Sequence, residues 1–398
     1  MSYPVVVLKA GREIPLLAGH PWVFSRGIEQ AEITQPGAIV EVRSWKGDFL
    51  GLGTYHPSNT IRIRLLTRNL ELIDTEFFFE RFIRLRSEKE RFLPPHTDGF
   101  RLVHADADGL PGLIVDVYGE VAVFQIHTAG MELFRELVAE ALSRLPKIRA
   151  VVERSDVEAR KAEGLSILNP AVHRGNIDGP VPFQEAGLTL LSDVLEGQKT
   201  GFFLDQREAR DLVRETACNR KVWNLFSYTC SFGMAALKGG ACEVVNVDSS
   251  RSALELGEHI FRQNGVDLQT RKVSLKEADV FTFLEEAGRE PKTDISYIIC
   301  DPPAFAKTRA NLEAARKAYL RLNTLCFRQL QQGGLFLTSS CSGMLGLEDF
   351  LSILRIAAGH AGKQARILRI LGQAADHTRN LAFPEGSYLK TVLLEVRE

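Results

Sequence analysis

Residues 222–233 read Val-Trp-Asn-Leu-Phe-Ser-Tyr-Thr-Cys-Ser-Phe-Gly and run directly into Met-Ala-Ala-Leu-Lys-Gly-Gly. Val222 to Phe226 predict a buried strand, Ser227 to Gly233 a turn, and the residues that follow a helix. A strand feeding a helix through a tight turn is the repeating unit of an open α/β sheet. The pattern recurs from Gly197 onward in EVVNVD, RKVSL, YIICD, GLFLTSS, ARILRIL and YLKTVLLEV, each separated by helix-length segments. It predicts a parallel sheet with helices on both faces, whose ligand lies beyond the carboxyl ends of the strands, above the first turn.

That turn excludes a dinucleotide. A pyrophosphate needs G-x-G-x-x-G so that the backbone can approach it, and here only Gly233 is present. The second strand ends at Asp248, where a carboxylate can accept both hydroxyls of a ribose. Ribose without pyrophosphate points to S-adenosylmethionine (SAM). The candidate cofactor residues are then Asn224, Phe226, Ser227, Tyr228 and Thr229 in the loop, Asp248 and Ser249 after the second strand, and Asp279 after the third, where adenine would lie. For Asp248 and Asp279 the competing reading is a helix N-cap, because a helical segment follows each.

The fourth strand, Tyr297 to Cys300, ends in Asp301-Pro302-Pro303-Ala304-Phe305. Two prolines fix φ and remove two donors, so the turn is stiff and aims Asp301 at the crevice, with Asp301 and Pro302 also beside the cofactor. Enzymes that methylate the exocyclic amine of adenine usually carry an aromatic directly after the second proline. Ala304 fills that place and Phe305 comes one residue late, which counts against that chemistry. The fifth strand, Leu335 to Ser340, ends at Cys341-Ser342-Gly343. A cysteine at a strand tip beside the crevice is placed as a nucleophile, and a thiolate added to C6 of a pyrimidine makes the unreactive C5 carbon nucleophilic. Cys341 and Asp301 are the candidate catalytic residues; the competing reading of Cys341 is a small buried hydrophobe. Cys300 reads as core, Cys230 as a loop thiol, and Cys218, Cys242 and Cys326 as packing.

Around this domain the chain of 398 residues predicts two more. Residues 1–73 are short apolar alternations broken by Gly, Pro and Asn, a small β-barrel pattern. In it Arg62, Arg64 and Arg68 alternate with Ile61, Ile63 and Leu65, forming a basic face that could meet RNA phosphates or remain solvated surface. Residues 74–190 predict an α+β domain whose first helix opens at Asp74, leaving 191–398 to the α/β sheet. The 49 Lys and Arg against 50 Asp and Glu give a net charge of −1, so any surface for polyanions must be local. Six cysteines without C-x-x-C spacing argue against a disulfide framework or zinc site, and no metal is expected. No run of apolar residues is long enough for a membrane span and no signal peptide is evident, so a cytoplasmic protein is expected. His104-Ala-Asp106-Ala-Asp108-Gly109 lacks EF-hand spacing and reads as a polar turn. Asp376-His377, after the sixth strand, is expected near the rim of the active site.

These residues, in this order, resemble the ribosomal RNA large subunit methyltransferase I family, enzymes similar to the bacterial 5-methylcytosine methyltransferase of 23S rRNA. The most specific pieces are GHPWVFSRGI (19–28), DGLPGLIVDVYG (108–119), ERSD (153–156), GQKTGFFLDQREAR (197–210), NLFSYTCSFG (224–233), DPPAF (301–305), SSCSG (339–343) and AADHTRNLAFPEGSYLK (374–390). The resemblance implies a multidomain α/β protein: an N-terminal PUA-like RNA-binding barrel, a central α+β domain and a C-terminal class I SAM-methyltransferase domain of Rossmann-like topology. It implies 23S rRNA, in the large subunit or its precursor, as partner, no membrane, and leaves a homodimer open. It also implies that Lys199 to Arg207 close over the cofactor, with Phe202, Gln206 and Arg207 as contacts; the residues themselves read as a glycine-hinged loop entering a helix. Phe305 joins Arg62, Arg64 and Arg68 as an expected RNA contact.

The cofactor loop of that family usually reads S-Y-T-G-G, here S-Y-T-C-S, and Ala304 follows D-P-P where Lys is common. Related rRNA methylases that act on guanine include some with no cysteine at the strand-five tip, so Cys341 favours cytosine C5. With no second cysteine after the strand-four motif, a single-cysteine mechanism is required. The alternatives are methylation of guanine, another base or a small molecule, and a non-catalytic RNA-binding factor; the Asp248, Asp279 and Asp301 set argues against the last.

Overall fold

The computed structural model describes residues 3–270, 272–289, 294–306 and 311–397. Met1, Ser2, Arg271 and Glu398, which fall within segments assigned above, lie outside the described residues. The chain forms two compact units. Met1–Gly187, Ser192–Leu204 and Ala375–Gly386 make the first, and Leu188–Leu191, Asp205–Ala374 and Ser387–Glu398 the second.

The first unit opens with strands β1 (Val5–Leu8), β2 (Trp22–Phe24), β3 (Ile28–Gln30), β4 (Ile39–Arg43), β5 (Phe49–Tyr55) and β6 (Ile61–Thr67), and a short helix α1 (Ile14–Leu17). They form one sheet in the order β2-β6-β5-β4-β1-β3. Alternation decides its core: Val40 and Val42 are buried while their neighbours on β4 are only partly covered, and they pack with Val6, Leu8, Val23, Ile63 and Leu65. Helix α2 (Thr75–Glu90) starts where expected, its first turn capped by Asp74 Oδ1 accepting from Phe77 N at 3.0 Å. Its Phe78, Phe82 and Leu85 are buried with residues of the strands β7 (Gly99–His104), β8 (Leu113–Tyr118), β9 (Val121–Ile126) and β10 (Ala150–Glu153) and the helices α3 (Ala129–Glu132) and α4 (Arg135–Ser143), while β11 (Ala171–Arg174) pairs with β10 at the sheet edge. Thus the segments read as barrel and α+β domain share one compact unit. Strand β12 (Val181–Glu185) ends this stretch, and of β13 (Leu188–Ser192) the residues Leu188–Leu191 count with the second unit.

In the second unit, β14 (Lys221–Leu225), β15 (Glu243–Asp248), β16 (Val273–Glu277), β17 (Tyr297–Cys300), β18 (Leu335–Ser340), β19 (Gln364–Leu371) and β20 (Lys390–Arg397) form a sheet in the order β16-β15-β14-β17-β18-β20-β19. Helices α5 (Arg207–Thr216), α6 (Ser231–Lys238), α7 (Arg251–Gln263), α8 (Val280–Ala287), α9 (Leu312–Gln329) and α10 (Leu347–His360) alternate with them. Side-chain alternation sends Trp223, Leu225, Ile298, Cys300 and Phe336 into one buried cluster and Val222, Tyr297, Ile299, Leu335 and Leu337 into another, so the central strands are covered on both faces. Cys300 and Cys326 are core, as expected, whereas Cys218 and Cys242 are exposed rather than packed. The expected all-parallel sheet is corrected at one edge: β20 inserts antiparallel between β18 and β19. Two adjacent strands without an intervening helix between them in space can pair this way through a long loop. No helix among the described residues is long and apolar enough to cross a membrane.

The start of α6 sits tightly on this sheet. Asn224 and Asn246 face each other on β14 and β15, and Asn224 Nδ2 donates to Asn246 Oδ1 at 2.8 Å in a fully buried pair. A Cβ added at Gly233 would stand 2.1 Å from that Oδ1. Gly233 is therefore required by close approach of helix to strand, and not by a phosphate. Gly233→Ala should break the amide pair and lower the stability of the protein by about 1–3 kcal/mol, the cost of stranding a buried polar group; chemical denaturation measures it.

Candidate active site

The loop after β14 holds three non-glycine residues in the left-handed region at alternate positions: Phe226 (φ 56°), Tyr228 (φ 45°) and Cys230 (φ 61°). Such a shape is imposed by surrounding contacts. Ser227 N donates to Val247 O at 3.0 Å and Cys230 N to Ser227 O at 2.8 Å, closing the turn. Tyr228 N donates to Asp248 Oδ2 at 2.8 Å, and Ser250 N to Asp248 Oδ1 at 2.9 Å. The cap of α7 is Ser250, whose Oγ accepts from Ala253 N, so the helix-cap reading of Asp248 fails. Each carboxylate oxygen of Asp248 keeps further acceptor capacity. Asp279 does cap its helix: Oδ1 accepts from Thr282 N at 2.9 Å and Thr282 Oγ1 at 3.0 Å.

Among the other loop residues, Thr229 Oγ1 is buried with no hydrogen-bond partner among the described residues. Ser227 is buried and Ser249 exposed. Asn224 is corrected from cofactor contact to framework, because its amide is spent on Asn246 below the loop. An orphaned hydroxyl and a part-exposed carboxylate fixed by two backbone amides fit a hydroxyl-bearing nucleoside, the part of SAM that needs no phosphate cradle.

The chemistry loop is tied to the tip of β18 by short contacts. Gln206 Nε2 donates to Asp301 Oδ1 at 2.9 Å and to Ser339 Oγ at 3.3 Å, so Gln206 fixes the aspartate to the neighbouring strand. Ala306 N donates to Ser342 Oγ at 3.3 Å. Tyr319 on α9 is buried with its hydroxyl within 3.2 Å of Ser342 Oγ and accepting from Ser340 Oγ at 3.1 Å. Cys341 is only partly buried, and its Sγ lies 3.9 Å from Pro302 O. The thiol is thus neither sealed in the core nor remote from Asp301. Phe305, expected to touch RNA, is half-buried and packs against Tyr319 at a tilt of 56° with ring centres 4.7 Å apart. Arg207 is buried at the start of α5.

One residue escaped the sequence reading. Lys390, the first residue of β20, donates from Nζ to Ser342 O and Tyr388 O, both at 2.7 Å. Burial pushes its ammonium down to about 8, while the charge of Cys341 pulls the other way. The signal available was a lone lysine opening an apolar strand.

In the first unit several expected contacts prove structural. Arg64 pairs with Glu163 at 3.0 Å, Arg62 Nη1 donates to His56 O at 3.0 Å, and Arg68 donates to Leu16 O. The basic face is therefore tied into its own unit. Phe202 is buried against Phe183, ring centres 5.0 Å apart, and Thr200 Oγ1 donates to Asp116 Oδ2 at 2.6 Å. A Cβ at Gly201 would meet Ser192 Oγ at 2.2 Å, so this glycine serves packing where a hinge was expected. Asp376 and His377 are buried, with Arg101 N donating to Asp376 Oδ2 at 2.8 Å, and do not line an exposed rim. In the polar turn, Asp106 accepts from Trp22 Nε1 and Asp108 pairs with Lys89, both at 2.5 Å. No cluster of metal-ligating side chains occurs among the described residues.

Residues 179–359 match a family model described as S-adenosylmethionine-dependent methyltransferase, and residues 6–68 one described as a PUA-like domain. A protein of Aeromonas salmonicida named "Ribosomal RNA large subunit methyltransferase I" is 40% identical over 395 residues, covering 98% of this chain and 99% of that one. The chain belongs to the ribosomal RNA large subunit methyltransferase I family. A member from Vibrio cholerae is 37% identical, covering 97% of this chain and 98% of its own. Among solved structures, a SAM-dependent methyltransferase of Streptococcus mutans superposes with a TM-score of 0.82 at 23% identity, covering 98% of this chain and all of that one. A methyltransferase crystallised with SAH gives 0.83, also at 23% identity, covering 99% of this chain and 100% of its own. The protein is thus a SAM-dependent methyltransferase, with a PUA-like domain and a class I methyltransferase domain.

Cys230 stands where the S-Y-T-G-G form expected from the resemblance has glycine, and the structure shows how the thiol is housed. Cys230 is fully buried, its thiol pushed up to about 12 by that burial, and a Cβ at Gly257 on α7 would lie 2.6 Å from its Sγ. Gly257→Ala should cost about 1–3 kcal/mol through overpacking. Adding Cys230→Gly should recover part of that loss, with a coupling of about 1 kcal/mol in a double-mutant cycle followed by thermal unfolding.

Proposed function

We propose that this enzyme forms 5-methylcytosine in 23S ribosomal RNA of the large subunit or its precursor, through a covalent adduct on Cys341. The observation that carries the proposal is the part-exposed Cys341 thiol at the tip of β18, beside the Pro302 carbonyl of the loop that bears Asp301. The large-subunit rRNA in the names of relatives 37–40% identical to this chain supports the substrate class.

The target cytosine must leave its stack, since C5 and C6 are not reachable inside a stem. The Cys341 thiolate forms a bond to C6, and the electron pair of the C5–C6 double bond moves to make C5 nucleophilic. Asp301, held by Gln206, accepts from the exocyclic amine and in its protonated form donates to N3, where negative charge develops. SAM, when bound, supplies an electrophilic methyl group. Thr229, Asp248 and the backbone of the 226–228 loop would hold it, with Ser249 and Asp279 toward adenine and Pro302 stiffening the opposite wall. After methylation a base removes the C5 proton, the double bond re-forms, and the thiolate departs without needing a proton. Guanine offers no equivalent C6 position for such addition, so a thiol at this place has work to do only on a pyrimidine.

Cys341→Ala, assayed on rRNA from cells lacking the protein, should lower 5-methylcytosine formation about a thousandfold or more, with SAM affinity by calorimetry unchanged within a few-fold. Undiminished 5-methylcytosine would eliminate the covalent scheme. A methylated guanine in the nucleoside digest of the wild-type reaction would move the enzyme to another base, and failure of the wild type to bind SAM would leave an RNA-binding factor.

A further inference from the structure

We infer that Lys390 is a cation that favours the thiolate of Cys341, a positioning residue for the nucleophile. The inference rests on the covalent reading above and deepens it. Its basis is the register of one strand pair. β20 runs antiparallel to β18 with Lys390 opposite Ser340, so the first residue of one strand lies beside the end of the other, immediately before Cys341. From there the side chain reaches past position 341 to donate from Nζ to Ser342 O at 2.7 Å, while a second bond to Tyr388 O at 2.7 Å fixes the head from its own strand. Lys390 is thus paired with the residue before Cys341 and bonded to the residue after it. An ammonium has three donors, and these two carbonyls account for two of them.

Tyr319, packed from α9, places its hydroxyl on Ser340 and Ser342, and burial above all, with a smaller push from the charge of Cys341, raises its phenol. Asp301, on the loop after β17, is acidic. Neither the neutral phenol of Tyr319 nor the acidic Asp301 supplies positive charge to a negative sulphur. Pro302 O, 3.9 Å from Sγ, accepts from the protonated thiol and cannot assist the thiolate. The attraction between Lys390 and a negative sulphur works in the needed direction, and it is felt at the lysine as an upward pull against burial.

The proton balance is simple. The S–H bond breaks and its proton passes to water; Lys390 keeps its protons throughout; the sulphur electron pair then forms the bond to C6 of the pyrimidine. When the adduct collapses, the same pair returns to sulphur opposite the same ammonium, so one charge serves both attack and departure. The lysine is charged below about pH 8 and neutral above it, so its help is present at pH 7 and fades as the pH rises through 8.

The test is the pH dependence of alkylation of Cys341 by iodoacetamide, followed at that peptide by mass spectrometry in the full chain. Wild type, Lys390→Gln and Lys390→Arg are compared; glutamine can still donate to the carbonyls but carries no charge. At pH 7 Lys390→Gln should react about tenfold more slowly, the equivalent of one pH unit in the thiol midpoint. Lys390→Arg should stay within about threefold of wild type, and wild type and Lys390→Gln should converge well above pH 8. Superimposable profiles for wild type and Lys390→Gln, both still binding SAM, would overturn the inference. If Lys390→Gln does not fold, the wild-type profile decides alone: a midpoint no lower than that of an ordinary cysteine, about 8.5, overturns it. Loss of the Lys390 effect leaves the covalent reading standing if Cys341→Ala is inactive, and undiminished methylation by Cys341→Ala sinks that reading whatever the alkylation profile shows.

Discussion

The pairing of the parallel strands β14, β15, β16, β17 and β18 is the constraint on which the catalytic unit depends. Parallel strands cannot be joined by tight hairpins, so each must be followed by a crossover, and every strand leaves the sheet at the same edge. Residues that are far apart in the chain are thereby delivered to one rim. The left-handed loop at Phe226 to Cys230, the carboxylate of Asp248, the stiff Asp301-Pro302-Pro303 turn and the thiol of Cys341 all stand at strand ends for this reason. Burial on both faces by apolar side chains fixes the register, and register fixes the rim.

The sheet was legible because its strands are short apolar runs and its chemistry sits where each run stops. Cys341 could be singled out from sequence since it follows Ser340 at the end of such a run, and Asp248 for the same reason. Direction was not legible for β20: an apolar strand reads alike whether it runs parallel or antiparallel, and only pairing with both β18 and β19 decides it. Lys390 was missed as a consequence, because its meaning depends on which residue lies opposite.

Partners across long stretches of chain were equally hidden. Arg64 reads as a cation open to phosphate, yet Glu163 lies against it; Phe305 reads as an RNA contact, yet its ring packs on Tyr319; and Asn224 reads as a ligand contact, yet its Nδ2 bonds Asn246. In each case the residue type was chemically suited to the role expected, and a partner elsewhere in the same unit had already engaged it. Gln206 shows the converse, a residue expected at the cofactor that the fold applies to Asp301.

The thiol at position 230 and the missing side chain at position 257 amount to a single decision made twice. Any lineage that exchanges the loop's small residue for a bulkier one commits the facing helix to remain bare there, and reverting either position alone carries a penalty that the pair together avoids. Such locked pairs restrict the order in which substitutions can accumulate in the loop after β14.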